Sequence, residues 1–122
     1  MHLLYVDDDR INLMLFEAAC RHLDGVTAAT AGDADEALQC AARQRPDLLV
    51  IDLHLDATDG LRVLGTLRAS GLAGIPAYLC SADDDPGLQA RARDAGFAGC
   101  WAKPVEPPAL QAALQALAGS PP

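Results

Sequence analysis

Five short apolar runs, residues 2 to 6, 26 to 30, 48 to 52, 75 to 80 and 98 to 102, alternate with five segments of helical period, about 10 to 23, 34 to 44, 60 to 69, 87 to 95 and 107 to 118. Strands that are each followed by a helix pair in parallel, and a parallel sheet needs helices on both faces. The alternation therefore predicts an α/β, doubly wound (βα)5 fold in a single domain. Runs such as Leu48-Leu49-Val50-Ile51 fit, since a strand covered on both faces is apolar at every position. A chain of 122 residues can bury a core without disulfide or metal staples, and 51% apolar with only 4% aromatic residues describes a core of Leu, Ala and Val. The expected domain is 1–118, with 119–122 as tail or linker.

Local signals place several ends. Asp33 and Glu36 have the spacing of a capping box, and Ala37, Leu38 and Ala41 continue as an apolar face. Pro107 and Pro108 suit the first turn of a helix, where a missing N–H costs nothing, and Leu110, Ala113, Leu114 and Leu117 repeat at i, i+3, i+4, i+7. The fourth helix offers only Leu88, Ala92 and Ala95 beside Arg91, Arg93 and Asp94, which predicts weak docking. Gly119-Ser120-Pro121-Pro122 reads as a helix stop followed by a terminus or a linker.

Nine basic residues against seventeen acidic ones give a net charge of −8, so a phosphate backbone would be repelled and no direct nucleic-acid binding is expected. The opening apolar stretch ends after about four residues, too short for a membrane span or a cleaved signal. The chain reads as cytoplasmic, with no membrane association. Cys20, Cys40, Cys80 and Cys100 lie far apart without C-x-x-C spacing. They are expected as buried small hydrophobes rather than a zinc site, a redox pair or a disulfide framework.

The chemistry gathers at the ends of the runs. Asp7-Asp8-Asp9 follows Leu3-Leu4-Tyr5-Val6, Asp52 ends the third run, Ser81 follows Tyr78-Leu79-Cys80, and Lys103 follows Cys100-Trp101-Ala102. Parallel strands deliver such residues to one sheet edge, where α/β proteins place their sites. Carboxylates about 4 Å apart repel by roughly 4 kcal/mol per pair at an effective dielectric near 20, so converging acids call for a cation or protons. Magnesium suits oxygen ligands and keeps positions open for water and phosphate, whereas zinc would want Cys or His and only His54 is near. Given magnesium, Asp52 can attack a phosphoryl donor while Asp7 and Asp8 hold the ion, directly or through water, and Lys103 and Ser81 offer a cation and a hydroxyl to phosphoryl oxygens. Asp9 reads as a helix cap rather than a ligand.

Over nearly its whole length the chain resembles the receiver domains of two-component response regulators. The resemblance rests on Leu3-Leu4-Tyr5-Val6-Asp7-Asp8-Asp9, Pro46-Asp47 through Asp52, Asp59-Gly60, Ile75-Pro76, Ser81-Ala82, Ala95-Gly96-Phe97 and Lys103-Pro104, in that order and spacing. It implies a flavodoxin-like, parallel five-stranded sheet of order 2-1-3-4-5. It also implies Mg2+ bound by Asp7, Asp8, Asp52 and the His54 backbone carbonyl, phosphorylation of Asp52 by a phosphohistidine, and a cis peptide between Lys103 and Pro104. Further implied are a sensor histidine kinase or histidine phosphotransfer protein as donor, and an unknown downstream protein met through helix 4, strand 5 and helix 5. The domain would be a monomer or weak homodimer, a regulatory phosphoacceptor rather than an enzyme, although it would catalyse its own phosphorylation and slow dephosphorylation.

Departures from the family pattern are specific. Cys100 stands three residues before the lysine, where the family's switch aromatic belongs, so the usual ring motion is not expected. Trp101 faces the other side of its strand and reads as packed bulk. Asp56 replaces a proline common four residues past the acceptor, and His54 and Asp83 occupy variable positions that tune the lifetime of the phosphoryl group. Competing readings are a haloacid-dehalogenase-like phosphatase, which needs a second acid where His54 stands, and an FMN-binding flavodoxin, whose phosphate three aspartates would repel. A third is a degenerate receiver that docks partners without phosphorylation, against which every acceptor-site residue type is present. Asp7 through Asn12 resembles the opening of hybrid-kinase receivers, whereas Met1 fits a free-standing regulator.

Overall fold

The structure, a computed structural model, describes residues 1–55, 58–82, 86–103 and 105–118. Its elements run β1 (His2–Val6), α1 (Arg10–Arg21), β2 (Thr27–Ala31), α2 (Ala34–Arg43), β3 (Leu48–Asp52), α3 (Gly60–Leu67), β4 (Ala77–Ser81), α4 (Leu88–Asp94), β5 (Gly99–Ala102) and α5 (Pro107–Ala118). All strand pairings are parallel, in the order β2-β1-β3-β4-β5. The (βα)5 fold read from the alternation is present, with the strand order that the resemblance implied.

Alternation of side chains along each strand divides the interior into two layers. Leu4, Val6, Leu49, Ile51 and Leu79 face α2, α3 and α4, meeting Ala37, Val63, Leu64, Leu67, Leu88 and Ala92. Leu3, Tyr5, Leu48, Val50 and Cys80 face α1 and α5, meeting Phe16, Ala19, Cys20 and Leu110. Burying a Leu or Val side chain stabilises by about 1.5–3 kcal/mol, so strands buried on both faces anchor the molecule at its centre.

Element ends depart from the sequence expectation for local reasons. β4 starts at Ala77 rather than residue 75, because Pro76 has no N–H to give the ladder and serves only as acceptor for the Leu49 N–H (2.9 Å). α1 closes at Arg21 rather than 23, as the Leu23 N–H bonds back to the Cys20 carbonyl in a tightened turn (3.0 Å). α3 ends at Leu67 and widens into a π-turn over Arg68–Leu72, where Gly71 takes φ +108°. β2 begins one residue later than expected, at Thr27. The α4 stripe is thinner than read, since Leu88 and Ala92 are buried but Ala95 is exposed. Of the four free cysteines only Cys20 and Cys80 are buried, while Cys40 and Cys100 are half-buried.

Caps fall where acids precede helices. Asp33 accepts the Glu36 N–H (2.8 Å), and Glu36 reaches back to the Gly32 N–H (2.9 Å), one residue before the cap where the box pattern placed it. No described helix is long and apolar enough to cross a membrane. The expectations attached to Asp56, Asp83, the Lys103–Pro104 peptide, the Leu117 side chain and the 119–122 tail lie outside the described residues.

Candidate functional site

Strand order reverses at β1, whose chain successor lies on one side and β3 on the other, so a crevice opens where β1 and β3 end. Val6 pairs with Ile51, which brings Asp7 and Asp52 out of the sheet side by side. The Asp7 N–H continues the ladder to the Ala31 carbonyl (3.0 Å). Asp7 is fully buried, Asp52 nearly so and Asp8 exposed, and one carboxylate oxygen from each lies within 4.8 Å of the others.

Ser81 closes β4 and is buried; its carbonyl accepts the Lys103 N–H (3.1 Å), fixing where the lysine leaves β5. From there the Lys103 ammonium bridges Asp52 Oδ1 at 2.8 Å and Asp7 Oδ2 at 2.9 Å. The structure thus brings Asp7, Asp8, Asp52, Ser81 and Lys103 to one edge. His54, exposed just beyond β3, forms an isolated backbone bridge with Asp59. Asp9 caps α1 by accepting the Ile11 N–H (2.9 Å), the role read for it.

The Asp59-Gly60 pair also acquires a reason. Asp59 caps α3 through the Arg62 N–H (2.9 Å), while the Gly60 N–H donates to the Leu53 carbonyl (2.8 Å). A Cβ on residue 60 would collide with the Asp52 carbonyl and crowd Leu79, so only glycine lets α3 start against the end of β3.

Burial raises the Asp52 carboxyl above its ordinary value; Lys103 opposes this, and the charges of Asp7 and Asp8 reinforce it. Burial alone would lower Lys103, yet its hydrogen bonds to Asp52 and Asp7 outweigh that and raise it. Among the described residues of the cluster, one ammonium faces three carboxylates. That deficit of positive charge, with oxygen donors and no thiolate or imidazole in the cluster, fits a small hard cation.

One contributor was not foreseen. The Tyr5 hydroxyl donates to Asp7 Oδ2 (2.7 Å), the Cys80 thiol donates to the Tyr5 hydroxyl (3.6 Å), and the Asp9 N–H donates to Asp7 Oδ1 (2.9 Å). Burial pushes the phenol far above its ordinary value, so it remains a donor, and pushes the Cys80 thiol up to about 12. The signal available in sequence was spacing alone: residue 5 shares a strand face with residue 7.

A family model described as the response regulator receiver domain matches residues 3–115. The response regulator MprA of Mycobacterium leprae is 36% identical over 119 residues, covering 96% of this chain and 50% of that protein. The transcriptional regulatory protein PrrA of Mycobacterium tuberculosis is 40% identical over 96 residues, covering 75% of this chain and 40% of its own. The chain thus spans half or less of the length of these relatives. Among solved structures, chemotaxis protein CheY4 of Vibrio cholerae superposes with a TM-score of 0.80 at 26% identity, covering 94% of this chain and 96% of that one. A two-component response regulator from Clostridium difficile gives 0.84 at 18% identity over 98% and 96% of the two chains, a likeness of fold. With fold, acidic edge and family match in agreement, the chain belongs to the receiver domains of response regulators.

Proposed function

We propose that residues 1–118 form the phosphoacceptor unit of a phosphorelay, in which Asp52 takes a phosphoryl group from a phosphohistidine in a Mg2+-dependent reaction. The observation that carries this reading is the Lys103 ammonium held between two buried acids, 2.8 Å from Asp52, in a cluster where among the described residues it faces three carboxylates. Asp7, Asp8, Asp52 and the His54 carbonyl would hold magnesium, which supplies charge neutralisation for the equatorial phosphoryl oxygens. An Asp52 oxygen forms the O–P bond as the N–P bond breaks, and the imidazole keeps that electron pair and takes up a proton. Burial holds Asp52 toward its protonated form, so a cation beside it restores the ionised nucleophile. Lys103 then turns from Asp52 to a phosphoryl oxygen, and the Ser81 hydroxyl donates to another.

The donor is a sensor histidine kinase or a histidine phosphotransfer protein in the cytoplasm. Ile11, Met14 and Leu15, exposed at i, i+3, i+4 on α1, give a stripe suited to a donor's helix. The downstream surface is α4, β5 and α5, with the domain a monomer or weak homodimer. Cys100 sits half-buried against the α4-side layer, and Trp101 stacks on Tyr78 across the sheet (4.3 Å, 15°). Output therefore proceeds without the family's switching ring. Calorimetric and Trp101-emission titrations with MgCl2 test the cation's part. A saturable isotherm lost in Asp8→Asn is expected, and the absence of saturable binding in wild type would overturn it.

A further inference from the structure

Building on the magnesium reading, we infer that Tyr5 is a positioning residue of the acidic pocket, its hydroxyl setting the orientation in which the Asp7 carboxylate meets the cation. Asp7 is fully buried, so its orientation is fixed by protein donors rather than by bulk water. A carboxylate accepts about four hydrogen bonds. Tyr5 (2.7 Å) and Lys103 (2.9 Å) occupy Oδ2, and the Asp9 N–H (2.9 Å) takes one position on Oδ1. Acceptor capacity remains on Oδ1, toward which the cation is steered.

The donors on Oδ2 differ in permanence. Lys103 also serves Asp52 and is the group drawn to an incoming phosphoryl oxygen. Tyr5 has no competing duty and stays with Asp7 when Lys103 turns away. Its own position is tightly held: Tyr5 is 2% exposed on β1, which is paired on both sides by β2 and β3, and its ring packs on Phe16 with centroids 4.4 Å apart at 36°. The hydroxyl in turn accepts from Cys80 on β4 (3.6 Å). An outer partner that aims a metal-binding carboxylate matters for affinity, because ligands left to wander must be ordered when the ion arrives.

The test measures Mg2+ affinity of the whole chain by calorimetry in wild type, Tyr5→Phe, Phe16→Leu and Asp8→Asn. Tyr5→Phe keeps the ring and removes only the donor, and it should weaken the Kd roughly tenfold. Phe16→Leu loosens packing around the same ring but keeps the hydroxyl, so its Tm should fall while its Kd stays within about twofold. Wild-type affinity in Tyr5→Phe, or an equal loss in Phe16→Leu, overturns the positioning role. A wild type without saturable binding, or Asp8→Asn binding as wild type does, overturns the magnesium reading itself and the inference with it. Should Tyr5→Phe fail to fold, 3-fluorotyrosine at position 5 in the otherwise unmutated chain serves instead. Its 19F resonance should follow the Mg2+ isotherm, and a resonance untouched at saturation sinks the proposal.

Discussion

In the proposed reading, Asp52 is where covalent chemistry and fold stability compete. Burial and two acidic neighbours make the folded chain hold the Asp52 proton more tightly than the unfolded chain does. Above the ordinary value of 3.8 the folded state therefore binds more protons, and metal-free stability falls as pH rises through the raised value. Asp52→Asn removes that loss. Scanning calorimetry without divalent cation at pH 7 should show the variant more stable by about 1 kcal/mol, or roughly 4 °C, with a flatter acid-side slope. Saturating Mg2+ should then reverse the order, since a ligand bound only by the folded state stabilises it by RT ln(1 + [L]/Kd). A variant melting below wild type without metal would contradict the charge account. Asp7, Asp8, Asp52, Ser81 and Lys103 were legible because each ends an apolar run, and strand ends share an edge. Tyr5 was not, because inside Leu3-Leu4-Tyr5-Val6 a phenol looks like bulk, and its partner exists only once the strand end folds over it.

Helices and strands were legible as kinds more than as extents. The β4 start depended on the donor that Pro76 lacks, and the α3 end on a π-turn that spacing does not announce. Strand order was beyond periodicity, which says that strands are parallel but not which neighbour each one takes; the family resemblance supplied it. Asp9 separates the local role from the chemical one. Asp9→Ala should cost about 1 kcal/mol by chemical denaturation through loss of the α1 cap. Its Mg2+ affinity should stay within about twofold, since only the backbone N–H of residue 9 touches Asp7. A tenfold loss of affinity would make Asp9 a ligand after all. At the head of α3, Gly60→Ala should destabilise by about 1–3 kcal/mol through overpacking on the Asp52 carbonyl.

The molecule as a whole carries a charge of −8, and that field acts on any anionic phosphoryl donor before contact. At fixed Mg2+, modification by acetyl phosphate should quicken severalfold between 10 mM and 150 mM NaCl as repulsion is screened over a Debye length that shrinks from about 30 to about 8 Å. A rate that falls with salt would mean that local positive charge dominates the approach. The central claim, that Asp52 accepts the phosphoryl group with help from magnesium and Lys103, is tested most directly by intact-mass spectrometry after incubation with acetyl phosphate. A single hydroxylamine-labile phosphoryl adduct should form in wild type, vanish with EDTA and in Asp52→Asn, and map to the peptide containing Asp52. An adduct that persists in Asp52→Asn, or forms equally well without divalent cation, would contradict the account.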